Sequence, residues 1–171
     1  MIVLGRQTQL FSSTSLSDVS LSCSIGNILL VEDKQSYIDL ILEALENCQN
    51  DRKKYNLYSV KNGEEALNFL YRKENYALSP RPDLILLDLN LPKINGFEIL
   101  SIIKQDSQLG EIPVIILTTS TEPKDIVESY RRNANCYINK PFDIDRLFII
   151  IERIVDFWLD RPKECLSINN Q

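Results

Sequence analysis

The sequence predicts an α/β fold: a doubly wound parallel sheet of five strands with helices on both faces. Three observations predict it. The first is the run Leu84–Leu87, apolar without alternation and bounded by Pro82 and Pro92. It is too short for a buried helix and has the composition of a strand covered on both sides. The second is the regular alternation of such runs with segments of helical period. The third is where the runs end. Ile28–Val31 runs into Glu32-Asp33, Leu84–Leu87 into Asp88, and Val114–Leu117 into Thr118-Thr119. Parallel strands deliver their carboxyl ends to one rim, where ligands bind in open α/β sheets.

In chain order, residues 1–26 hold seven serines and two threonines with little periodicity and are expected to be a disordered arm. Residues 27–160 are the predicted domain, and 161–171 a short tail. Strand one is expected at Ile28–Val31. A helix over Ser36–Cys48 comes next, with Tyr37, Leu40, Ile41, Ala44 and Leu45 on one face. Leu57–Val60 is the second strand. Asn62-Gly63 turns into a helix over Glu64–Tyr71, with Ala66, Leu67, Leu70 and Tyr71 apolar, and a polar connection runs from Arg72 to Pro82. Strand three leads to a helix from Gly96 to about Lys104, with Phe97, Leu100 and Ile103 inward. Pro113 opens strand four. Glu122-Pro123 suits the first turn of a fourth helix, where proline forfeits no bond and an acid complements the dipole. Cys136–Ile138 is a short fifth strand, and Asp143 starts a helix reaching about Asp160. Right-handed crossovers then favour the flavodoxin-like strand order 2-1-3-4-5.

In the last helix, Ile144, Leu147, Phe148, Ile151, Val155 and Trp158 are expected to face the core. Ile150, Ile154 and Phe157 form a second stripe, either a partner surface or a helix packed deeper under the tail.

Composition narrows the function. A chain of 171 residues suffices for one domain with a substantial core. A net charge of −5 argues against nucleic acid or an anionic membrane as the main partner. No apolar run is long enough to span a bilayer, and a cytoplasmic location is expected. The four cysteines, Cys23, Cys48, Cys136 and Cys165, are scattered, as expected of incidental thiols rather than a disulfide framework. There is no histidine, so imidazole bases, histidine triads and a histidine phosphocarrier are excluded within the chain.

Four motifs occur in order at the predicted strand ends: Leu29-Leu30-Val31-Glu32-Asp33, Leu87-Asp88-Leu89-Asn90-Leu91-Pro92 with Gly96, Leu117-Thr118, and Tyr137-Ile138-Asn139-Lys140-Pro141-Phe142. Together they resemble the receiver domain of two-component response regulators over about residues 27–160. The chemistry of the residues agrees. Three carboxylates in one crevice repel one another unless a cation neutralises them, and an all-oxygen site of that charge suits Mg²⁺. The resemblance implies that Asp33 and Asp88 coordinate Mg²⁺ directly, Glu32 through water, and Asn90 through its backbone carbonyl. It implies that Asp88 is the nucleophile taking a phosphoryl group from a phosphohistidine on a sensor histidine kinase. Lys140 and Thr118 would contact the phosphoryl oxygens, and the Thr118 loop and Tyr137 would form the switch, Tyr137 passing from exposed to buried. Lys140-Pro141 is expected to be cis, and Asn90 and Ser120 to tune loss of the phosphate. No effector domain is expected, so output would pass through protein contact or a phosphorelay.

A closer likeness is carried by Asn75–Pro82, Asn135-Cys136-Tyr137-Ile138 and Phe157-Trp158-Leu159, which resemble the single-domain regulators paired with cyanobacterial or bacterial phytochromes. That resemblance implies a phytochrome-type kinase partner and a homodimer through the helix 4, strand 5 and helix 5 face. Two alternatives stand beside it. A phosphatase of the haloacid-dehalogenase type also uses a strand-end aspartate, but needs a second Asp where this chain has Asn90. A degenerate receiver would bind partners without being phosphorylated. On the main reading the chain is a phosphoacceptor rather than an enzyme with a turnover substrate.

Overall fold

The structure is a computed structural model, and it describes residues 24–50 and 53–159. The expected N-terminal arm up to residue 23, Cys23, the tail beyond residue 159 and Cys165 lie outside the described residues. Five parallel strands form one sheet in the order β2-β1-β3-β4-β5, as the sequence predicts. They are β1 (Ser24–Val31), β2 (Lys53–Val60), β3 (Leu84–Leu87), β4 (Val114–Thr118) and β5 (Cys136–Asn139). The helices are α1 (Gln35–Cys48), α2 (Gly63–Leu70), α3 (Gly96–Gln105), α4 (Pro123–Arg131) and α5 (Ile144–Trp158). The connection from Arg72 to Pro82 carries a single 3-10 turn, Glu74–Tyr76.

The covered stretches of the three inner strands, Ile28–Val31, Leu84–Leu87 and Val114–Leu117, are apolar for a simple geometric reason. Successive side chains point to opposite faces, so a strand with helices on both sides must be apolar at every position. Ile28 and Leu30 pack with Ile38, Ile41 and Leu45 of α1 and Leu147, Ile151 and Val155 of α5. Leu29 and Val31 pack with Ala66 and Phe69 of α2 and with Ile99, Leu100 and Ile103 of α3.

Edge strands obey different rules, and there the expected boundaries shift. β1 and β2 pair in register from Ser24 and Lys53, four residues earlier than the apolar runs indicate. The strand therefore takes in Ser24–Gly26, which the sequence assigns to the disordered arm. β2 lies at the sheet edge, where cover is incomplete: Tyr55 packs on one face and Val60 on the other, while Lys54 and Asn56 are exposed and Lys53 half-buried.

Helix faces also differ from expectation. Ile38 and Phe69 are buried although the sequence pattern places neither on its helix's inner face, while Tyr71 is exposed. In α5, Ile154 belongs to the core and Ile144 is half-exposed, the reverse of the expected assignment. The outer stripe consists of Ile149, Ile150 and Phe157. Asp143 is the N-cap, its carboxylate accepting from the Arg146 amide at 2.7 Å, so Ile144 is the first residue of the helix and sits at its exposed end. No peptide bond among the described residues is cis, so Lys140-Pro141 is trans, contrary to expectation and in line with the ordinary preference of an X–Pro bond.

Candidate functional site

The ladder of main-chain bonds continues past the strand ends and fixes the residue after each of them. The Glu32 amide donates to the Val60 carbonyl at 3.0 Å, the Asp88 amide to Val31 at 3.0 Å, and the Lys140 amide to Thr118 at 2.8 Å. Residues distant in sequence therefore meet at one rim. Glu32, Asp88, Thr118 and Lys140 are all buried there, and Asp33 is exposed beside them. The approach of α3 beneath this rim requires a glycine. A Cβ on Gly96 would lie 2.4 Å from the Asp88 carbonyl oxygen and 2.6 Å from Leu89 Cα.

Lys140 is the hub. Its ammonium donates to Oδ2 of Asp88 at 2.6 Å and to Oε2 of Glu32, and its side chain has no solvent exposure. The remaining carboxylate oxygens are also held. Oδ1 of Asp88 accepts from the Asn90 amide at 3.1 Å, and Oε1 of Glu32 from the Lys34 amide at 3.1 Å. The face of the Tyr37 ring lies 4.5 Å from the Lys140 Nζ. No buried side-chain polar atom among the described residues lacks a partner.

The two carboxylates are not equivalent. Burial raises Glu32 above the ordinary glutamate value, and the charge and hydrogen bond of Lys140 do not fully offset it. Burial acts the same way on Asp88, but there the Lys140 charge and hydrogen bond, the Asn90 amide and the Thr118 hydroxyl prevail and hold it below the ordinary value. Asp88 is thus kept as the anion, the form a nucleophile needs.

Carboxylate oxygens of Glu32, Asp33 and Asp88 lie within 4.8 Å of one another. Three hard oxygen ligands at that spacing fit a divalent cation such as Mg²⁺, and a single ammonium leaves the three acidic groups incompletely neutralised.

Thr118 and the loop after β4 form the other half of the site. The Asn90 side-chain amide donates to Thr118 Oγ1 at 3.4 Å. Tyr137 is half-buried, neither freely exposed nor fully inside, and its hydroxyl donates to the Ser120 carbonyl at 2.9 Å. Asn139 Nδ2 donates to the same carbonyl at 2.9 Å, and Ser120 Oγ donates to Asp125 at 2.5 Å. Every sequence-predicted side chain thus lies at one rim. The roles of Tyr37 and Asn139 are not visible in the sequence. Tyr37 reads as a core residue because its helical spacing matches Ile41, and only the strand order brings it over Lys140.

The family model of the response regulator receiver domain matches residues 28–152. The chain belongs to that family. This receiver is 43% identical over 133 residues to the response regulator Rcp1 of Synechocystis sp. (strain ATCC 27184 / PCC 6803 / Kazusa), across 78% of this chain and 88% of that protein. Among solved structures it superposes on the phosphorylated cyanobacterial phytochrome response regulator RcpA with a TM-score of 0.74 and 43% identity, over 81% of this chain and 95% of that one. The Mn²⁺-bound form of Rcp1 gives 0.73 and 42% identity, over 80% and 96%. The receiver is a signalling domain, and the haloacid-dehalogenase alternative falls away. No helix among the described residues is long and apolar enough to cross a membrane.

Proposed function

We propose that Asp88 of this receiver accepts a phosphoryl group from a phosphohistidine on a sensor histidine kinase of the phytochrome class. The observation that carries the reading is the buried Lys140 ammonium shared by Asp88 and Glu32 at the carboxyl rim of the sheet. A carboxylate oxygen of Asp88 attacks phosphorus, the new P–O bond forms as the P–N bond breaks, and the imidazole departs with the electron pair. Lys140 then turns from the carboxylate to a phosphoryl oxygen, and the Thr118 hydroxyl donates to another. Glu32, Asp33, Asp88 and the Asn90 carbonyl would hold Mg²⁺, which when bound offsets the repulsion between an anionic nucleophile and an anionic phosphoryl group. Support comes from the acidic cluster and from relatives described as phosphorylated and as Mn²⁺-bound. The protein would act on itself alone, gaining and losing its own phosphoryl group, in the cytoplasm.

Output would pass to a downstream protein or a phosphorelay partner through the face of α4, β5 and α5. Ile126, Val127 and Tyr130 of α4 are exposed there, as are Ile149 and Phe157 of α5. The same face would serve as a homodimer contact. An apolar groove of about 720 Å³, lined among others by Ile138, Ile149, Ile150, Phe157 and Trp158, supports that use. Sedimentation of wild type against Ile149→Glu/Phe157→Glu tests it, and an unchanged mass distribution would refute it.

Incubation with acetyl phosphate and Mg²⁺, followed by intact-mass measurement, tests the central claim. One phosphoryl group is expected on wild type and none on Asp88→Asn. An Asp88→Asn protein that still gains the group would overturn the assignment. Continuous release of phosphate by the wild type at a high rate would favour a hydrolase.

A further inference from the structure

We infer that Tyr37 is a positioning residue of the phosphoryl site, holding the Lys140 ammonium in place through the face of its ring. The inference rests on Asp88 as phosphoacceptor and adds a component to that site. A lysine ammonium has three N–H directions. Two are used at Lys140, on Glu32 and Asp88, and the ring centroid of Tyr37, 4.5 Å from Nζ, offers a π face to the same cation. The site is built to keep the ring there. The Lys34 amide donates to Glu32 Oε1 at 3.1 Å, and the Tyr37 amide donates back to the Lys34 carbonyl at 3.0 Å, closing the turn that opens α1. Glu32 therefore anchors both the ammonium, through one oxygen, and the segment that carries the ring, through the other.

The aromatic face suits the chemistry better than a third carboxylate would. When a phosphoryl group arrives on Asp88, the ammonium must shift its hydrogen bonds toward the new oxygens. A carboxylate in the third direction would compete for those N–H groups. A ring quadrupole attracts the cation without a fixed acceptor atom and leaves its donors free to reorient. It also keeps water off Nζ on the α1 side, where the Lys140 side chain has no solvent exposure. Misplacing a group that stabilises transferring charge slows transfer even when the nucleophile is intact.

The test compares wild type with Tyr37→Phe, Tyr37→Trp and Tyr37→Leu, as full chains with Mg²⁺ and acetyl phosphate. Phenylalanine and tryptophan keep a π face, and their labelling rates should stay within about twofold of wild type, whereas leucine fills the space without one and should slow labelling about three- to thirty-fold. A second readout needs no phosphorylation. The ε-methylene protons of Lys140 should show an upfield ring-current shift in wild type and Tyr37→Phe, and lose it in Tyr37→Leu. Wild-type rates in Tyr37→Leu, or a Tyr37→Phe defect as large as that of leucine, would overturn the inference. Labelling that persists in Asp88→Asn would instead overturn the phosphoacceptor reading, and the ring-current comparison would still decide whether Tyr37 holds Lys140.

Discussion

The Tyr137 hydroxyl donates to the main-chain carbonyl of Ser120 at 2.9 Å, tying β5 to the loop after β4. Asn139 reinforces the tie by donating to the same carbonyl at 2.9 Å and to the Thr118 carbonyl at 3.4 Å. The loop after β4, which would move under the proposed switch at Thr118, is therefore held by two side chains of the strand beside it. Tyr137→Phe leaves Ser120 with one donor, and a loss of about 0.5–1.5 kcal/mol is expected, read as a few degrees in Tm. Asn139→Ala should cost a similar amount, and the double variant more than either. Equal melting temperatures for all four proteins would show that the carbonyl is satisfied by water and that the tie carries no weight.

Lys140 compensates two buried carboxylates, so its removal is costly only while no other cation is present. Lys140→Met in the presence of a chelator is expected to lose about 3–5 kcal/mol, because it leaves Asp88 and Glu32 facing each other. Addition of Mg²⁺ should restore much of that loss, since the same oxygens are its candidate ligands. Chemical denaturation with and without Mg²⁺ measures both quantities. A variant that Mg²⁺ fails to stabilise would separate the lysine site from the metal site.

The sequence made the centre of the sheet and the rim legible because both obey strong constraints. Leu84–Leu87 has to be apolar on both sides, and Asp88 stands out as a carboxylate at the end of such a run. Weakly constrained features were less readable. Polar Lys53 and Lys54 belong to a strand because the start of this edge strand is only partly covered on either face. Ile144 is half-exposed because it is the first residue of its helix, and Ile154 is buried because it lies three residues on from buried Ile151, on the same side. The contact of Tyr37 with Lys140 joins residues 103 positions apart, and no local pattern encodes it. Asn139 is a similar case, since its meaning lies in a carbonyl on the neighbouring strand's loop.

If Glu32 helps to hold the metal as proposed, metal affinity should depend on pH. Its carboxyl is raised from the ordinary 4.5 by burial, so the folded protein retains a proton there as pH rises past that value. Protonation by itself stabilises the fold at low pH, and this contribution is lost as pH climbs through the folded value. Asp88 has the opposite sign. Its carboxyl is held below 3.8, so its contribution is present above that value and vanishes only as pH falls through the folded one. A divalent cation requires both groups deprotonated, and over the range above 4.5 only Glu32 has a proton to release. The rise in Tm on adding Mg²⁺ should therefore grow with pH above that value and then level off. Glu32→Gln should flatten the dependence, and a wild-type curve already flat there would refute the role given to Glu32.

Gly96 connects packing directly to the chemistry. A β-carbon at this position would meet two backbone atoms, 2.4 Å from the Asp88 carbonyl oxygen and 2.6 Å from Leu89 Cα, and backbone cannot swing aside. Gly96→Ala should thus destabilise by about 1–3 kcal/mol, although alanine is the better helix former and Gly96 is the first residue of α3. The displaced segment is the one that aims Asp88, so phosphorylation should slow beyond what stability alone explains. Gly26→Ala is the matched control. Its β-carbon would meet two side chains rather than backbone, the end of Leu159 at 2.9 Å and the Tyr55 ring at 3.3 Å, both far from the rim and able to shift slightly. That variant should stay within about 0.5 kcal/mol of wild type and label normally. If Gly96→Ala proves as stable and as readily phosphorylated as Gly26→Ala, the close approach of α3 is not what holds the acceptor in position.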